Sequence, residues 1–141
     1  MKVRPSALIV EKNHVLLLRY YYDGNDVFAL PGGNPDPNET LPQTIERELR
    51  EELGVEVEIT KMRLTGEVLL SPRKDDVLHC VFEAQIIGGL PRLDPAQTSA
   101  LEIVWQPIAK LASLNLYPNV GLAIQNGQTG YVGKINQPYF G

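Results

Sequence analysis

The sequence lacks several features that would place it in common classes of protein. Cys80 is its single cysteine, so no disulfide can form within the chain and a reducing compartment is expected. No apolar run approaches the roughly 20 residues that a membrane-spanning helix needs. Residues 1–5 lack the apolar stretch and cleavage site of a secretory signal peptide. The sequence therefore predicts a cytoplasmic protein with no membrane partner.

Positive charge is also scarce, because 13 Lys and Arg residues face 17 Asp and Glu residues, for a net charge of -4. Proteins that coat nucleic acid normally need a surface rich in Lys and Arg, so no nucleic-acid partner is expected. A small phosphorylated substrate stays compatible, since a bound cation can supply positive charge locally. The 141 residues, 43% hydrophobic, predict one globular domain over residues 1–141.

Hydrophobic patterning predicts a sheet with one long helix. The helix begins at Thr40, which forms a capping box with Gln43, and ends at Gly54. Shorter helices are predicted over residues 108–114 and 117–125, and the tail from about residue 127 stays unassigned. Runs of alternating or β-branched residues predict strands over residues 6–10, 15–20, 27–30, 55–60, 64–70, 77–87 and 101–105. This order predicts an α+β fold with a mixed sheet flanked by helices.

The long helix carries an unusual cluster of acidic side chains. Glu48, Glu51 and Glu52 share an arc of about 100°, where they repel one another close to the negative end of the helix dipole. Mg²⁺ prefers such oxygen ligands. The alternative is an ordinary solvated face, on which Arg47 pairs with Glu51 at i+4. The Gly-rich turn before the helix and the glycine after it favour a metal site.

Together these residues resemble a known motif. The segment over residues 33–55 resembles the Nudix box of the Nudix (MutT-like) hydrolases at every defined position, and residues 30–33 resemble the usual lead-in. A looser resemblance extends from residue 4 to about residue 116. Ile45 and Glu46 depart from the pair of alanines that is common in the family. The matching positions are Gly33, Glu39, Arg47, Glu48, Leu49, Glu51, Glu52, Gly54 and Val55.

The resemblance implies an α/β/α sandwich and a hydrolase that depends on Mg²⁺, with Mn²⁺ as a substitute. Its substrate would be a nucleoside diphosphate linked to another moiety: a nucleoside triphosphate, ADP-ribose or a nucleotide sugar. Arg47 would hold Glu51, and Glu39 would fix the loop against the helix start. Gly33 and Gly54 would meet the backbone requirements at the two ends of the segment formed by the loop and the helix. The implied metal ligands are Glu48, Glu51 and Glu52.

The resemblance leaves the general base open. Glu48 and Glu52 are candidates within the box, and Glu102 is the candidate from later in the chain, because it precedes Trp105 as in the family pattern. Three other residues are weaker candidates for the general base: Asp94, Glu83 and His79. Glu83 and His79 also fit the polar face of a half-buried strand.

Substrate contacts are expected from Arg19, Gly32, Gly33 and Phe28. Arg19 ends a strand on the substrate side of the fold, although an ordinary surface arginine fits as well. The aromatic residues at 20–22 and Phe28 could stack on a base or pack at the core rim. Tyr139 and Phe140 could cover the cleft or form a homodimer contact.

Three functions fit the sequence. The first is an active diphosphohydrolase, and the second is a catalytically silent Nudix-fold module that binds nucleotides or regulates. The third is an unrelated α+β domain with a coincidental helix. The complete set of box carboxylates favours the first, because degenerate modules typically lose glutamates.

Overall fold

The computed structural model describes residues 1–137. The strands are β1 (Lys2–Glu11), β2 (His14–Tyr22), β3 (Asn25–Ala29), β4 (Glu56–Val68), β5 (Val77–Gly88), β6 (Glu102–Pro107), β7 (Leu116–Tyr117) and β8 (Gly130–Lys134). The helices are α1 (Leu41–Leu53), a 3₁₀ helix (Ile108–Ser113) and α2 (Gly121–Gln125).

These strands form one mixed sheet with the order β7-β3-β2-β1-β5-β4-β8, and β6 pairs with β2. β1 and β5 run parallel, whereas β4–β5, β2–β3 and β2–β6 are antiparallel. Helix α1 packs on one face of the sheet, and the 3₁₀ helix with α2 packs on the other. The predicted sheet between helices is confirmed. Within residues 1–137, no helix combines the length and the apolar character that crossing a bilayer demands.

Helix α1 forms where its capping signals and apolar stripe predict it. The Thr40 hydroxyl accepts a hydrogen bond from the Gln43 backbone, and the Gln43 side chain accepts one from the Thr40 backbone. Gly54 ends the helix in the left-handed region at φ 66°. Three side chains of the stripe are fully buried against the sheet: Ile45, Leu49 and Leu53. Each contributes about 1.5–3 kcal/mol through burial.

Several predicted boundaries are wrong. The strands predicted over residues 55–60 and 64–70 are one strand, β4. Its pairing with β5 shifts register near Thr60 and Met62, which interrupts the alternating pattern of the sequence there. The helix predicted over residues 117–125 is shorter, because Tyr117 lies in β7 and precedes Pro118, which disfavours helical backbone. The unassigned tail contributes β8, which runs parallel to β4.

A wedge-shaped opening separates the first two strands. Within the described chain, β1 pairs with β2 only near the hairpin, at Val10–Val15 and Glu11–His14. Further along, β1 bonds instead to the segment that leads into α1: the Ala7 amide donates to the Pro31 carbonyl at 2.8 Å. The separation of β1 from β2 creates a cleft and brings the loop before α1 to its edge.

Candidate active site

Arg47 joins the loop before α1 to the carboxylates of the helix. Its Nε donates to Glu39 Oε2 at 2.6 Å, and its Nη1 donates to Glu48 Oε1 at 2.8 Å and Glu51 Oε2 at 3.3 Å. Its Nη2 donates to the Asn34 carbonyl at 3.1 Å. The predicted contact with Glu51 is present, but the bonds to Glu39 and Glu48 are shorter. One guanidinium therefore sets both the loop position and the orientation of two box carboxylates.

Glu39 lies between the loop and the first turns of α1. Besides Arg47, its Oε1 accepts hydrogen bonds from the Asp36 amide at 2.9 Å and the Thr44 hydroxyl at 2.8 Å. The hydrogen bonds from Arg47 hold the pKa of the Glu39 carboxyl at about 2, with a further contribution from Asp36. Glu39 is therefore ionised at neutral pH, and its bonds tie the loop to the helix.

Two glycines allow the backbone to approach its neighbours closely. A Cβ on Gly33 would lie 2.8 Å from Glu48 Oε1, and one on Gly32 would lie 2.7 Å from Ser6 Cα. Both distances are shorter than real Cβ contacts. A side chain at Gly33 would push the Glu48 carboxylate away, and one at Gly32 would push the loop off β1.

Glu52 on α1 interacts electrostatically with Arg4 and Tyr20, two residues that line the cleft between β1 and β2. Burial raises the pKa of its carboxyl to about 7, and the neighbouring Glu48 carboxylate adds to the rise. Arg4 on β1 opposes this rise, so its positive charge lies near Glu52. The helix thus carries a concentration of negative charge that its neighbours only partly compensate.

The box carboxylates have the donor chemistry that a divalent cation requires. In residues 1–137, no group of three His, Cys, Asp or Glu side chains is already gathered around one metal position. Arg47 instead bonds two of the carboxylates, Glu48 and Glu51. Hard oxygen donors and the raised pKa of Glu52 both fit a divalent cation, which would relieve their mutual repulsion.

The cleft between β1/β5 and β2/β3 has a volume of about 790 Å³. That volume suits a nucleotide-sized ligand. Arg4 and His79 lie on one wall and Tyr117 on the other, with the Arg4 Cζ 5.0 Å from the Tyr117 ring centroid. Other lining residues include Lys2, Tyr20, Tyr22, Val27, Leu70 and Gln137. The cleft therefore combines aromatic surface with positive charge.

Arg19, expected to contact substrate, is already paired. Its Nε donates to Glu102 Oε1 at 3.1 Å, and its Nη1 donates to Asp26 Oδ1 at 3.1 Å. Arg19 on β2 is paired with Glu102 on β6, and Leu17 lies two residues before Arg19 on the same face of β2. Since Leu17 belongs to the core on the face opposite α1, Arg19 and Glu102 also lie on that face. They form an ion-pair group separate from the box carboxylates.

The comparisons with known proteins fit this geometry. The NUDIX domain profile matches residues 2–125. The chain belongs to the Nudix family. Among curated Nudix-related proteins, it is 36% identical over 86 residues to an ADP-ribose pyrophosphatase of Methanocaldococcus jannaschii, covering 57% of this chain and 49% of that protein. It is 39% identical over 59 residues to the nucleoside triphosphatase NudI of an Enterobacter species, covering 39% of this chain and 42% of that protein.

The chain thus spans about half the length of the curated relatives it matches. The Nudix fold is also seen in a crystal structure of the mutator MutT protein from Bacillus halodurans. That structure has a TM-score of 0.70 at 16% identity and covers 100% of this chain and 94% of its own. At this identity the likeness concerns the fold alone.

His79 was expected on the polar face of a half-buried strand, but its side chain is completely buried in the structure. Its ring meets Tyr117 edge-on, with centroids 5.1 Å apart. Burial lowers the pKa of the imidazole to about 3, and the nearby Arg4 charge adds to this. His79 is therefore neutral at pH 7 and is a weak base for catalysis.

The remaining predicted residues lie elsewhere around the Nudix fold. Phe28 is partly buried against the core beneath the 3₁₀ helix. Glu83 pairs with Lys61 and Arg63, which supports its interpretation as a polar strand residue. Asp94 accepts a hydrogen bond from the Ala96 amide in a turn. Tyr139 and Phe140 lie outside the described residues.

Sequence reasoning missed Arg4, which lines the cleft, and Ser6, which is buried against the Gly32 backbone. Both alternate with apolar residues on β1, and this pattern of polar residues on one strand face was the available signal. The Arg4 Nη1 atom, the Ser6 hydroxyl and both His79 ring nitrogens are buried without a hydrogen-bond partner in residues 1–137. Buried polar atoms usually have partners, so this group is an exception with a functional implication.

Proposed function

We propose that this Nudix protein is a diphosphohydrolase that requires a divalent cation, Mg²⁺ or its substitute Mn²⁺. It would cleave a diphosphate bond in a nucleoside diphosphate linked to another moiety. The observation that carries the proposal is the clustering of Glu48, Glu51 and half-buried Glu52 on α1, with Arg4 of the cleft close enough to act on Glu52. Clustered carboxylates that Arg47 neutralises only in part, near a nucleotide-sized cleft, are suited to a cation and a diphosphate.

Glu48, Glu51 and Glu52 would hold the cation. A bound cation would neutralise the diphosphate and lower the pKa of a water. Arg47 would keep Glu48 and Glu51 in position through the bonds described above, as outer-shell partners do for metal ligands. Gly32 and Gly33 would let the backbone approach the substrate, because neither carries a side chain.

The general base is proposed to be a box carboxylate. Glu52 is the first candidate, because its carboxyl is half-buried next to the other two box carboxylates. Glu48 is the alternative within the box. Glu102 is a third candidate, but its carboxylate bonds Arg19 on the opposite sheet face and would have to leave that pair.

The proposed substrates are ADP-ribose, nucleoside triphosphates and nucleotide sugars. Support comes from the two curated relatives, named an ADP-ribose pyrophosphatase and a nucleoside triphosphatase. The aromatic rings of Tyr20, Tyr22 and Tyr117 add surface on which a nucleobase can stack. Phe28 and Arg19 stay proposed as substrate contacts, Arg19 only if its ion pairs open.

Turnover of a substrate panel by wild type and Glu52→Gln tests the proposal. The panel contains ADP-ribose, the nucleoside triphosphates and UDP-sugars, each with Mg²⁺, with Mn²⁺ and with EDTA. We expect cation-dependent product release that falls by about 10²-fold or more in Glu52→Gln, since proton transfer by a positioned base contributes that much. Glu58→Gln is the matched control, because Glu58 is exposed on β4 away from the cleft.

Two outcomes would contradict the proposal. Turnover that is equal in EDTA would exclude a cation-dependent mechanism. A folded wild type that binds ADP-ribose or nucleoside triphosphates, yet releases no product with either cation, would favour the silent nucleotide-binding module.

A further inference from the structure

Arg4 differs from Arg19 and Arg47 in having no carboxylate partner among the described residues. Arg47 bonds Glu39, Glu48 and Glu51, and Arg19 bonds Glu102 and Asp26. Within residues 1–137, Arg4 forms no ion pair, and its Nη1 is buried without a hydrogen-bond acceptor. Because Arg4 also lines the cleft, an anionic ligand there would supply the counter-charge that the described residues do not.

The fold places Arg4 at the junction of the cleft and the box. Its neighbour Pro5 accepts a hydrogen bond from the Gly33 amide at 3.3 Å, and Gly33 packs against the Glu48 carboxylate. The charge of Arg4 also acts on Glu52 and on Tyr20, which lines the cleft. A diphosphate beside the box carboxylates would therefore extend toward Arg4 as its other moiety enters the cleft.

The partly buried Arg4 side chain lines the cleft beside an aromatic ring. Its Cζ lies over the Tyr117 ring, 5.0 Å from the centroid. Tyr117 is itself fixed to β3, because its carbonyl accepts a hydrogen bond from the Leu30 amide at 2.9 Å. Stacking on an aromatic ring leaves the N–H groups in the guanidinium plane free to donate, and this fork matches phosphate oxygens.

We propose that Arg4 binds the phosphate group that carries the nucleoside, and that Tyr117 is the positioning residue that orients its guanidinium. Arg4 donates to non-bridging oxygens of that phosphate, which directs the nucleoside into the cleft. The identity of the ligand as a nucleotide rests on the proposed function. The role of Arg4 in binding is independent of hydrolysis and is measured without it.

The test compares nucleotides with their own nucleosides in EDTA, where no cation-dependent reaction occurs. Dissociation constants of AMP, GMP, CMP and UMP, and of the four matching nucleosides, are measured calorimetrically for each variant. The ratio of nucleoside to nucleotide dissociation constants isolates what the phosphate contributes. For wild type we expect at least one base with a ratio of about ten or more, since hydrogen bonds to charged groups are worth that much.

Arg4→Gln is expected to bring that ratio close to one while leaving nucleoside affinity nearly unchanged. Arg4→Lys should keep part of the ratio, because lysine retains the charge but lacks the planar fork. Arg50→Gln is the matched control and should keep the full ratio, since Arg50 pairs with exposed Glu56 outside the cleft. Thermal unfolding and circular dichroism establish that each variant is folded.

Tyr117 variants test the positioning role. Tyr117→Phe keeps the ring and should keep the ratio, whereas Tyr117→Leu removes it and should lower the ratio severalfold. The same ratio in Arg4→Gln and wild type would overturn the assignment of Arg4. A wild-type ratio near one for all four bases would also overturn it. An unchanged ratio in Tyr117→Leu would overturn the positioning role.

Discussion

The polar atoms of the loop–helix unit (residues 33–54) and those of the cleft floor (Arg4 and His79) differ in whether they have hydrogen-bond partners. In the loop–helix unit, the Arg47 guanidinium and the Glu39 carboxylate find several partners within the unit itself. On the cleft floor, Arg4 Nη1 and both His79 ring nitrogens are buried without a partner in residues 1–137. Arg47 and Glu39 satisfy each other and hold the loop on the helix, whereas the cleft floor contains buried polar atoms without a partner among the described residues.

Breaking the loop–helix unit at Arg47 should have the largest effect. Arg47→Gln leaves Glu39 without its counter-charge and frees Glu48 and Glu51. We expect kcat/KM in the panel assay to fall by about 10–100-fold, the usual cost of losing an outer-shell partner, together with weaker Mg²⁺ binding. Arg50→Gln, one turn along the same helix, is the control. Equal losses in the two variants would show that helix charge, and not the Arg47 contacts, is responsible.

The half-buried Glu52 should make the cation-free protein sensitive to pH. Folding raises the pKa of its carboxyl to about 7, so the folded state binds a proton more tightly than the unfolded chain. The resulting stability is present at acid pH and is lost as the pH rises through about 7.

With solvent screening, the free energy of unfolding in EDTA should fall by about 1–2 kcal/mol between pH 5 and pH 8. Urea denaturation of wild type and Glu52→Gln measures this difference. Glu52→Gln has no titrating group at this position, so its free energy of unfolding should fall less between pH 5 and pH 8. Parallel pH profiles in the two proteins would contradict the raised pKa.

Gly33→Ala should perturb the contact between loop and helix without removing any charged group. The new Cβ would approach Glu48 Oε1 to 2.8 Å and displace that carboxylate. We expect a loss in kcat of about tenfold or less, since small misplacements of aligned groups lower rates steeply. Gly88→Ala is the control, because its Cβ would meet Glu56 at an ordinary 3.6 Å. Unchanged kcat in Gly33→Ala would show that Glu48 relocates freely.

His79→Leu should have the smallest effect and should separate stability from function on the cleft floor. Replacing an unpartnered, neutral imidazole by an apolar side chain removes buried polar atoms, so we expect a gain of up to about 1 kcal/mol in the cation-free protein. Thermal unfolding measures it against His14→Leu, whose imidazole contacts the Lys12 carbonyl at 2.8 Å. A large destabilisation in His79→Leu would mean that its nitrogens are satisfied after all, for instance by buried water.

The elements that were predicted correctly depend on short stretches of sequence. The capping box at Thr40 and Gln43 joins residues three apart, and the left-handed cap at Gly54 depends on one residue. By contrast, the interrupted alternation within β4 led to the prediction of two separate strands. Only pairing with β5 shows it to be one strand, and β8 is likewise defined by its partner β4.

The sequence by itself determined the box: three carboxylates on one face of a capped helix and an arginine within reach of them. These residues lie within a few turns, so helix periodicity fixes their relative positions. Only the tertiary structure decided which arginines are free to bind. Arg19 is neutralised by Glu102, 83 residues away, whereas Arg4 meets Tyr117 and His79 only because β1 separates from β2 and pairs with β5. Such contacts depend on strand order, which no local pattern specifies.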